Sequence, residues 1–380
     1  MTEGMQKLPT YIYGAGGLLC GELLRLLPEH PHLLPVCAIT RSGPTPAVRT
    51  ISELHPHLAL DLPLSNPEQG IEALAQDLEL GEAVLFLGMP HGESAGTWRA
   101  IRERLGPLAE RLWLVDLSAD YRIRDAAAWE VAYGTPHGDS PGLAAFSYGL
   151  VEFARQALVG CRRIAAPGCF ATALQLACLP LWRAGLLAPQ GSWVLNAVTG
   201  SSGSGVKAKA STHHPHRNGN LCAYALDGHR HELELLQACA SPGVTDSGVT
   251  DSRATGSKAT TPPAVIFQPH SGPFVRGIYL TAVLPLAGTT RVDELRAEFH
   301  AAFEDAPFVS VRDSGAPELR HVLGSNRAEL AVNLRADCAL VLLAMDNTLK
   351  GGSGQALQAL NIAAGWPETA GLPLSGMGIA

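Results

Sequence analysis

Near residue 14 the sequence passes from a short apolar strand to a glycine-rich turn and then to an apolar helix, a succession that few folds contain. β-forming residues 11–13 precede the segment 14–21, and leucines then recur at helical spacing up to Pro28. Such a turn directs backbone N–H groups and the positive end of a helix dipole at a phosphate. Leu19 stands where G-x-G-x-x-G requires its third glycine. We still predict a nucleotide site, formed by Gly14, Ala15, Gly16 and Gly17.

The first part of the chain alternates short apolar strands with helices. Strands are predicted at 36–40, 83–89 and 112–118, and a helix is predicted at 93–105. This alternation is typical of an α/β fold with a doubly wound parallel sheet. We therefore assign residues 1–165 to a nucleotide-binding domain. The carboxyl-terminal segment 346–380, which has helical periodicity over 354–365, is expected to complete that domain.

The pattern changes after about residue 165. A long apolar helix is predicted directly after Cys169, and a further helix is predicted at 292–303. Many of the remaining strands follow one another without a helix between them, which indicates a mixed or antiparallel α+β domain over 166–345. These strands are predicted at 192–198, 264–269, 277–286 and 328–345.

Composition limits the class of function. The 380 residues suffice for roughly two domains of ~100–200 residues each. A formal net charge of −7 gives no basic excess, so we expect neither a nucleic acid nor a membrane surface as a partner. The apolar runs are far shorter than the ~18–20 residues of a membrane span. Residues 1–10 lack the apolar segment of a secretory signal, and we expect a cytoplasmic protein.

A polar stretch at 240–263 interrupts the second domain. It is rich in Gly, Ser, Thr and Pro and contains GVTDS twice, at 243–247 and 248–252. Two copies of five residues are too few for a repeat architecture. We interpret the stretch as a flexible surface insertion.

The residues after the second strand indicate which nicotinamide nucleotide binds. NAD sites usually carry an acid there for the ribose 2′-hydroxyl, whereas NADP sites carry a cation for the 2′-phosphate. Here the sequence is Thr40-Arg41-Ser42, with no acid before Glu53. An arginine flanked by hydroxyls suits a phosphate, although it also suits a solvated loop. Together with the glycine turn, these residues predict NADP as the cofactor.

One of the eight cysteines has a sequence context that favours reactivity. Cys169 follows Pro167-Gly168 and opens a predicted helix, where the dipole and the first N–H groups stabilise a thiolate. The alternative is a buried structural thiol, which we predict for Cys178 in the middle of the same helix. No Cys-x-x-Cys pair occurs in the chain.

Two histidine clusters lie in the second domain. In the first, Asp227-Gly228-His229-Arg230-His231-Glu232, either histidine can serve as the base for a thiol, and spacing does not rank them. Metal binding is the weaker interpretation, because no acid or cysteine stands beside them at ligand spacing. The second cluster, at 212–217, follows a Gly/Ser/Lys-rich stretch and suits an anion-binding loop. We predict substrate contacts from Ser202, Arg217 and Arg276 and no metal site.

The sequence resembles a known family in nine segments, which occur in the same order and extend over nearly the whole chain. The family is that of the N-acetyl-gamma-glutamyl-phosphate reductases of arginine biosynthesis, with relatives that act on carrier-linked aminoadipyl or glutamyl phosphates. The matching segments are GAGGLLCGELLRLL (14–27), HPHL (55–58), MPHG (89–92), VDLSADYRI (115–123), PGCFATA (167–173), GHRHELE (228–234), RGIYLTA (276–282), DNTLKGGSGQALQ (346–358) and GWPETAGLP (365–373).

The resemblance implies a Rossmann-like NADP-binding domain and an α+β substrate and dimerisation domain of the semialdehyde dehydrogenase type. It implies that the Cys169 thiol attacks the acyl phosphate and that His231 is the acid and base. It further implies that the glycine turn, residues 40–42 and Asn347 line the cofactor. The expected reaction is NADPH-dependent reductive dephosphorylation of N-acetyl-gamma-glutamyl phosphate to the semialdehyde by a dimer or tetramer.

The chain departs from the family pattern in two of the matching motifs. In the glycine turn, Leu18-Leu19 replace Tyr-Thr and Cys20 replaces a glycine; around the nucleophile, Ala166 replaces the asparagine before Pro-Gly-Cys and Phe170 replaces the tyrosine after it. Two alternatives stay open. The substrate can be linked to an amino-group carrier protein, since the segment 213–220 resembles the carrier-linked branch of the family more than the arginine-pathway enzymes. Alternatively, the protein can be a catalytically silent NADP-binding regulator. Retention of Cys169 and His231 argues against the regulator.

Overall fold

The structure, a computed structural model, describes residues 7–240 and 264–378. The chain divides into two compact units. The first unit contains the described residues up to Pro167 together with Gly352–Leu372, and the second contains Gly168–Gly351 and the described residues from Pro373 onward. The second unit thus includes 346–351 and 373–378, which the sequence analysis had assigned to the nucleotide-binding domain. The tandem GVTDS segment lies outside the described residues.

The first unit is built on a seven-stranded sheet in which every pairing is parallel. Its strands are β1 (Leu8–Tyr13), β2 (Leu33–Ile39), β3 (Leu64–Ser65), β4 (Ala83–Leu87), β5 (Leu112–Asp116), β6 (Ser147–Tyr148) and β7 (Arg163–Ala165). Its first helices are α1 (Leu18–Leu26), α2 (Ile51–Leu54), α3 (Pro67–Leu80), α4 (Ser94–Leu105), α5 (Ala126–Tyr133) and α6 (Val151–Leu158).

The strand order β3-β2-β1-β4-β5-β7-β6 confirms the prediction of a doubly wound parallel sheet. Strands β4 and β5 are buried along their whole length, as expected where helices cover both faces of a parallel sheet. The chain winds from β1 outward in one direction through β2 and in the other through β4. The glycine turn after β1 therefore lies at the crevice where open α/β sheets bind ligands.

The second unit is built on a mixed seven-stranded sheet, as predicted. Its helices are α7 (Cys169–Arg183), α8 (His214–Arg217), α9 (Glu232–Ala240), α10 (Val292–Ala302) and α11 (Leu319–Val322). Its strands are β8 (Ser192–Thr199), β9 (Cys222–Ala223), β10 (Ala264–Ser271), β11 (Ile278–Pro285), β12 (Val309–Arg312), β13 (Ala328–Arg335) and β14 (Cys338–Met345), in the order β12-β13-β14-β11-β8-β10-β9. The last helix, α12 (Gly354–Ala363), belongs to the first unit.

One face of the second sheet is covered within the unit, because α7 packs on β11 and β14 and α10 packs on β13. Strand β11 shows the consequence: Leu280, Ala282 and Leu284 are fully buried, whereas the alternating residues Tyr279, Thr281 and Val283 are only partly buried. The opposite face is therefore half exposed along the centre of the sheet.

Sequence patterns predicted most of the elements but not all of them. The predicted helix at 93–105 begins at Ser94, and the second strand begins at Leu33 rather than at residue 36. Helix α3 was not predicted, although Asn66 accepts a hydrogen bond from Gln69 N and Pro67 occupies the first helical turn. Within residues 7–240 and 264–378, every helix is too short or too polar to cross a lipid bilayer.

Candidate active site

Cys169 is the first residue of α7, a helix of 15 residues that is buried almost throughout. Its N-cap is Gly168, which has no side chain to cap the first N–H groups. The thiol therefore lies at the positive end of the helix dipole, where the thiolate is favoured. Cys169 is partly buried.

His231 and Glu234 lie directly against the residue that precedes the thiol. A Cβ at position 168 would come within 2.5 Å of His231 Nε2 and 2.8 Å of Glu234 Oε1, so only glycine fits there. The Gly168 N–H donates to Glu234 Oε2 at 3.0 Å, and His231 Nε2 lies 4.0 Å from Glu234 Oε1. Base, carboxylate and the start of α7 therefore form one contiguous group.

The other histidine of the motif supports His231. The Nδ1 atom of His229 accepts the His231 backbone N–H at 3.2 Å, and the two rings are 4.6 Å apart. Burial, and then the Arg230 charge, lower the pKa of His229 to about 4, so its imidazole is neutral at physiological pH. The rings of Phe170 and Phe267 pack edge-on against it, at 5.5 and 5.6 Å between centroids. His229 is therefore a weak base, and its Nδ1 atom fixes the backbone of His231.

Glu234 is the residue of this group that the sequence analysis missed. The signal was its position three residues after His231 at the start of a predicted helix, which places the two side chains on one helical face. Its carboxylate is 2% exposed. Such a buried carboxylate next to an imidazole stabilises the imidazolium that forms when the base takes a proton.

The segment 346–351 approaches the thiol from another direction. A Cβ at Gly351 would lie 2.8 Å from Cys169 Cβ, and the Gly351 N–H donates to the Asp346 carbonyl at 2.9 Å. The fully buried Asp346 carboxylate accepts from Arg276 Nε at 3.0 Å and Gly324 N at 2.9 Å. Arg276 keeps a quarter of its side chain exposed, at 23%. It therefore presents a fixed cation in the second unit.

The predicted residues Ser202 and Asn347 bond to each other. Asn347 Nδ2 donates to Ser202 Oγ at 2.9 Å, and Asn347 Oδ1 accepts from Gly277 N at 2.7 Å. Ser202 Oγ in turn donates to the Val275 carbonyl at 2.7 Å. These bonds fix the loop before Arg276 relative to the start of the 346–351 segment.

Arg217 is placed differently from what the sequence analysis expected. Its side chain is buried, with 9% exposed. Nε donates to the Gly272 carbonyl at 2.6 Å, Nη2 donates to the Thr199 carbonyl at 2.9 Å, and Nη1 donates to Ser271 Oγ. Because the guanidinium is occupied in joining its loop to β8 and β10, a carboxylate-binding role does not fit its geometry. The cations of this loop that are exposed are Lys207 and Lys209.

The glycine turn of the first unit has the geometry that a dinucleotide needs. Gly14 has φ of +86°, and a Cβ there would lie 2.4 Å from the Gly88 carbonyl oxygen, so the backbones that follow the adjacent strands β1 and β4 lie too close for any side chain. Gly16 has open space at the Cβ position, with Leu54 Cδ2 nearest at 3.9 Å. The N-cap of α1, Gly17, has no side chain. The turn therefore leaves room for a phosphate at an uncapped helix start and fits a nicotinamide nucleotide.

His55, of the HPHL motif, fixes this turn, because its Nε2 lies 2.7 Å from the Ala15 carbonyl oxygen. Cys20 replaces the family's glycine without a clash: its sulfur fills the space in which a Cβ of Gly88 would lie, at 2.2 Å. Burial raises the pKa of Cys20 to about 12, so this thiol stays protonated.

Arg41 lies in the turn 40–43 that follows β2. The Gly43 N–H donates to the Thr40 carbonyl at 3.1 Å, and the Arg41 side chain is 69% exposed. Its Nη2 donates to Glu93 Oε2, and Ser42 beside it is exposed. The structure therefore presents Thr40, Arg41 and Ser42 at the carboxyl edge of the sheet. Among the described residues, no group of three or more His, Cys, Asp or Glu side chains is arranged to hold a metal ion.

Comparisons with known proteins agree with this architecture. Residues 169–347 match the family described as semialdehyde dehydrogenase, dimerisation domain. Solved aspartate semialdehyde dehydrogenases from Vibrio cholerae (enzyme II, complexed with ASA) and Candida albicans (with NADP) have TM-scores of 0.62 and 0.60 to this chain. Their sequence identities are 13% and 15%, and each match covers 94% of this chain and 98% of the other. These structures show the fold.

The closer sequence relatives are reductases of a single kind. An N-acetyl-gamma-glutamyl-phosphate reductase of Streptomyces avermitilis is 36% identical over 372 residues, which cover 96% of this chain and 98% of that protein. The Mycobacterium avium reductase is 37% identical over 376 residues, covering 96% and 97%. The chain therefore belongs to the N-acetyl-gamma-glutamyl-phosphate reductase family.

Proposed function

We propose that the protein catalyses the NADPH-dependent reductive dephosphorylation of N-acetyl-gamma-glutamyl phosphate to N-acetylglutamate semialdehyde, a step of arginine biosynthesis. The observation that carries the proposal is the contact of His231 Nε2 and Glu234 with Gly168, immediately before Cys169 at the start of α7. A thiol, a base and a buried carboxylate in this order form a nucleophile, its activator and the group that stabilises the charged activator.

In the first step His231 takes the thiol proton, and the Cys169 sulfur attacks the acyl carbon. The new S–C bond replaces the C–O bond to the phosphate, which leaves and receives the proton back from His231. The product on the enzyme is a thioester of Cys169. Glu234, 4.0 Å from Nε2, stabilises the imidazolium during the transfer.

The second step returns the thiol to its starting state. NADPH, when bound, supplies a hydride to the thioester carbon. The first N–H groups of α7 stabilise the oxygen that gains negative charge. When the C–S bond breaks, the aldehyde leaves, and the Cys169 thiolate takes a proton from solvent through His231, which restores the thiol.

We propose that the glycine turn (14–17) binds the pyrophosphate of the cofactor and that Arg41, with Thr40 and Ser42, binds the 2′-phosphate. Asn347 is the proposed cofactor residue of the second unit. For the substrate we propose Arg276, whose guanidinium is fixed by Asp346, and Ser202. All eight cysteines are free thiols, which suits the reducing cytoplasm as the proposed location.

We further propose that two copies of the chain associate through the half-exposed face of the second sheet. Tyr279 and Val283 of β11 and Leu340 and Leu342 of β14 give this face apolar side chains that are only partly buried. A contiguous apolar face of this kind is a typical homodimer interface. The dimerisation-domain match over 169–347 supports association of two copies through this unit.

A carrier-linked acyl phosphate is the second candidate substrate. The loop 207–216 exposes Lys207, Lys209 and three histidines in a chain that is acidic overall. An acidic carrier surface would bind there through charge complementarity.

The deciding experiment measures phosphate-dependent reduction of NADP with free N-acetylglutamate semialdehyde and with its carrier-linked counterparts. We expect turnover with the free semialdehyde and none without phosphate, because phosphate must cleave the thioester. Turnover with a carrier-linked semialdehyde alone would assign the second candidate. Absence of turnover with all of them would refute the reductase.

A further inference from the structure

The ion pair between Arg41 and Glu93 joins two loops at the carboxyl edge of the first sheet. Arg41 follows β2 and Glu93 precedes α4 after β4. Strand β1 lies between these two strands in the sheet, and the glycine turn follows it. The pair therefore spans the edge at which the proposed nucleotide binds.

The backbone around Glu93 is fixed by two carboxylates that are fully buried. The Gly92 and Ala95 N–H groups donate to the two oxygens of Asp120, at 2.7 and 2.9 Å. Ser94 Oγ donates to Asp116 Oδ1 at 2.6 Å. Glu93, between these anchored residues, projects its carboxylate from a defined place.

The side chains of the pair are much less constrained than the backbone. Arg41 is 69% exposed and Glu93 45% exposed. Exposed ion pairs contribute little to stability, because water competes for both charges. The Arg41 guanidinium can therefore exchange Glu93 for another anion while both backbones stay in place.

We propose that Glu93 is a specificity-determining residue for the nicotinamide cofactor and lowers the preference for NADPH over NADH. This inference rests on the proposed NADP-dependent function. A 2′-phosphate must displace the Glu93 carboxylate from Arg41 before it can bind the guanidinium. A ribose 2′-hydroxyl instead gains a carboxylate that can accept its hydrogen bond, the contact typical of NAD sites. Glu93 thus weakens NADPH binding and does not weaken NADH binding.

The test is a double-mutant cycle of Glu93→Gln and Arg41→Ala, with calorimetric Kd values for NADPH and NADH. Glu103→Gln is the matched control, because it removes an exposed carboxylate from α4, the helix that directly follows Glu93. We expect Glu93→Gln to lower the Kd for NADPH about twofold to fivefold, the range of an exposed ion pair. The Kd for NADH should not fall. In the Arg41→Ala background the effect of Glu93→Gln on NADPH should disappear.

The alternative outcomes separate this inference from the proposed function. Unchanged NADPH affinity in Glu93→Gln overturns the role of Glu93. The role of Glu93 is also overturned if Glu93→Gln lowers the Kd for both nucleotides equally, or lowers the Kd for NADPH in the Arg41→Ala background as well. Each of these results would be a general charge effect. If Arg41→Ala weakens NADPH selectively in those cases, the NADP proposal stands. If Arg41→Ala weakens both nucleotides equally, the proposed 2′-phosphate contact is wrong and the Glu93 inference fails with it.

Discussion

The thiol site and the carboxyl edge of the first sheet are both formed where the chain leaves one regular element and enters the next, yet they differ in burial. Around Cys169, the side chains of His231, Glu234 and Asp346 are at most 8% exposed and contact one another or the backbone. At the sheet edge, Arg41 and Glu93 project into solvent above buried carboxylates. In the first region each group depends on its neighbours. In the second, the two exposed side chains form an ion pair on a fixed backbone.

The largest effect should come from the nucleophile. Cys169→Ser keeps the shape of the side chain, but a hydroxyl is not ionised at neutral pH by the dipole of α7 alone. We expect reductase activity to fall on the order of 1,000-fold or more, with NADPH affinity and melting temperature unchanged. Cys222→Ser is the matched control, because Cys222 is the exposed cysteine of the described chain and lies on β9. Substantial turnover by Cys169→Ser would refute the thioester mechanism.

The second prediction compares a buried cation with an exposed one in the same loop. Arg217→Ala removes the Arg217 donor from the Gly272 carbonyl and leaves the Thr199 carbonyl with the Gly272 N–H alone, and it should lower the free energy of unfolding by about 3 kcal/mol. Lys207→Ala, an exposed change, should lower it by less than about 0.5 kcal/mol. Chemical denaturation measures both. Equal stabilities, with a raised KM for the acyl phosphate in Arg217→Ala, would restore the substrate role that the sequence suggested.

The third prediction tests whether the carboxylate of the thiol site acts through His231. Glu234→Gln keeps an acceptor for the Gly168 N–H but removes the charge beside Nε2. We expect kcat to fall about tenfold to a hundredfold, with little change in KM or stability. Glu234→Ala should in addition lower stability, because the Gly168 N–H loses its acceptor. Glu298→Gln, an exposed change on α10, is the control. An unchanged kcat and pH–rate profile in Glu234→Gln would make Glu234 a purely structural residue.

The smallest expected effect concerns the buried support of the sheet edge. Burial raises the pKa of Asp116 to about 6, and the Asp120 charge adds to the shift, against hydrogen bonds from Ser94 and Ser118. Well below pH 4 the carboxyl is protonated in both folded and unfolded chains and does not affect the free energy of unfolding. As the pH rises from about 4 to 6, the unfolded chain ionises first, so this group progressively destabilises the fold.

Asp116→Asn removes that titration. The stability of the wild type minus that of the variant should fall by about 2 kcal/mol between pH 4 and pH 6.5 and then stay level. The exposed Asp61→Asn variant is the control for the same unit, and urea unfolding at each pH is the measurement. A difference that does not change with pH would show that Asp116 ionises alike in both states.

Local patterns were enough for the elements whose own residues carry the signal. Buried strands such as β4 are continuous apolar runs. The glycine turn is visible because Gly14 must adopt positive φ close to the Gly88 carbonyl oxygen, where only glycine fits. Cys169 was recognised because a cysteine after Pro-Gly at a helix start has a distinctive chemistry. Glu234 escaped because a glutamate on a polar helix turn is indistinguishable from a solvated one until its burial is known.

The sequence alone indicated the alternation of strands and helices in the first domain, the two-domain architecture and the family, since periodicity, turn chemistry and motif spacing are local properties. The family resemblance then singled out Cys169 and His231. Only the tertiary structure decided which charged side chains are accessible. Arg41 and Arg217 are equally plausible anion-binding residues in the sequence. In the structure Arg41 projects from a turn and is largely exposed, whereas the guanidinium of Arg217 donates three hydrogen bonds, one each to β8, β10 and the loop after β10. Burial and hydrogen-bond partners arise from residues that are distant in the chain, and no local pattern encodes them.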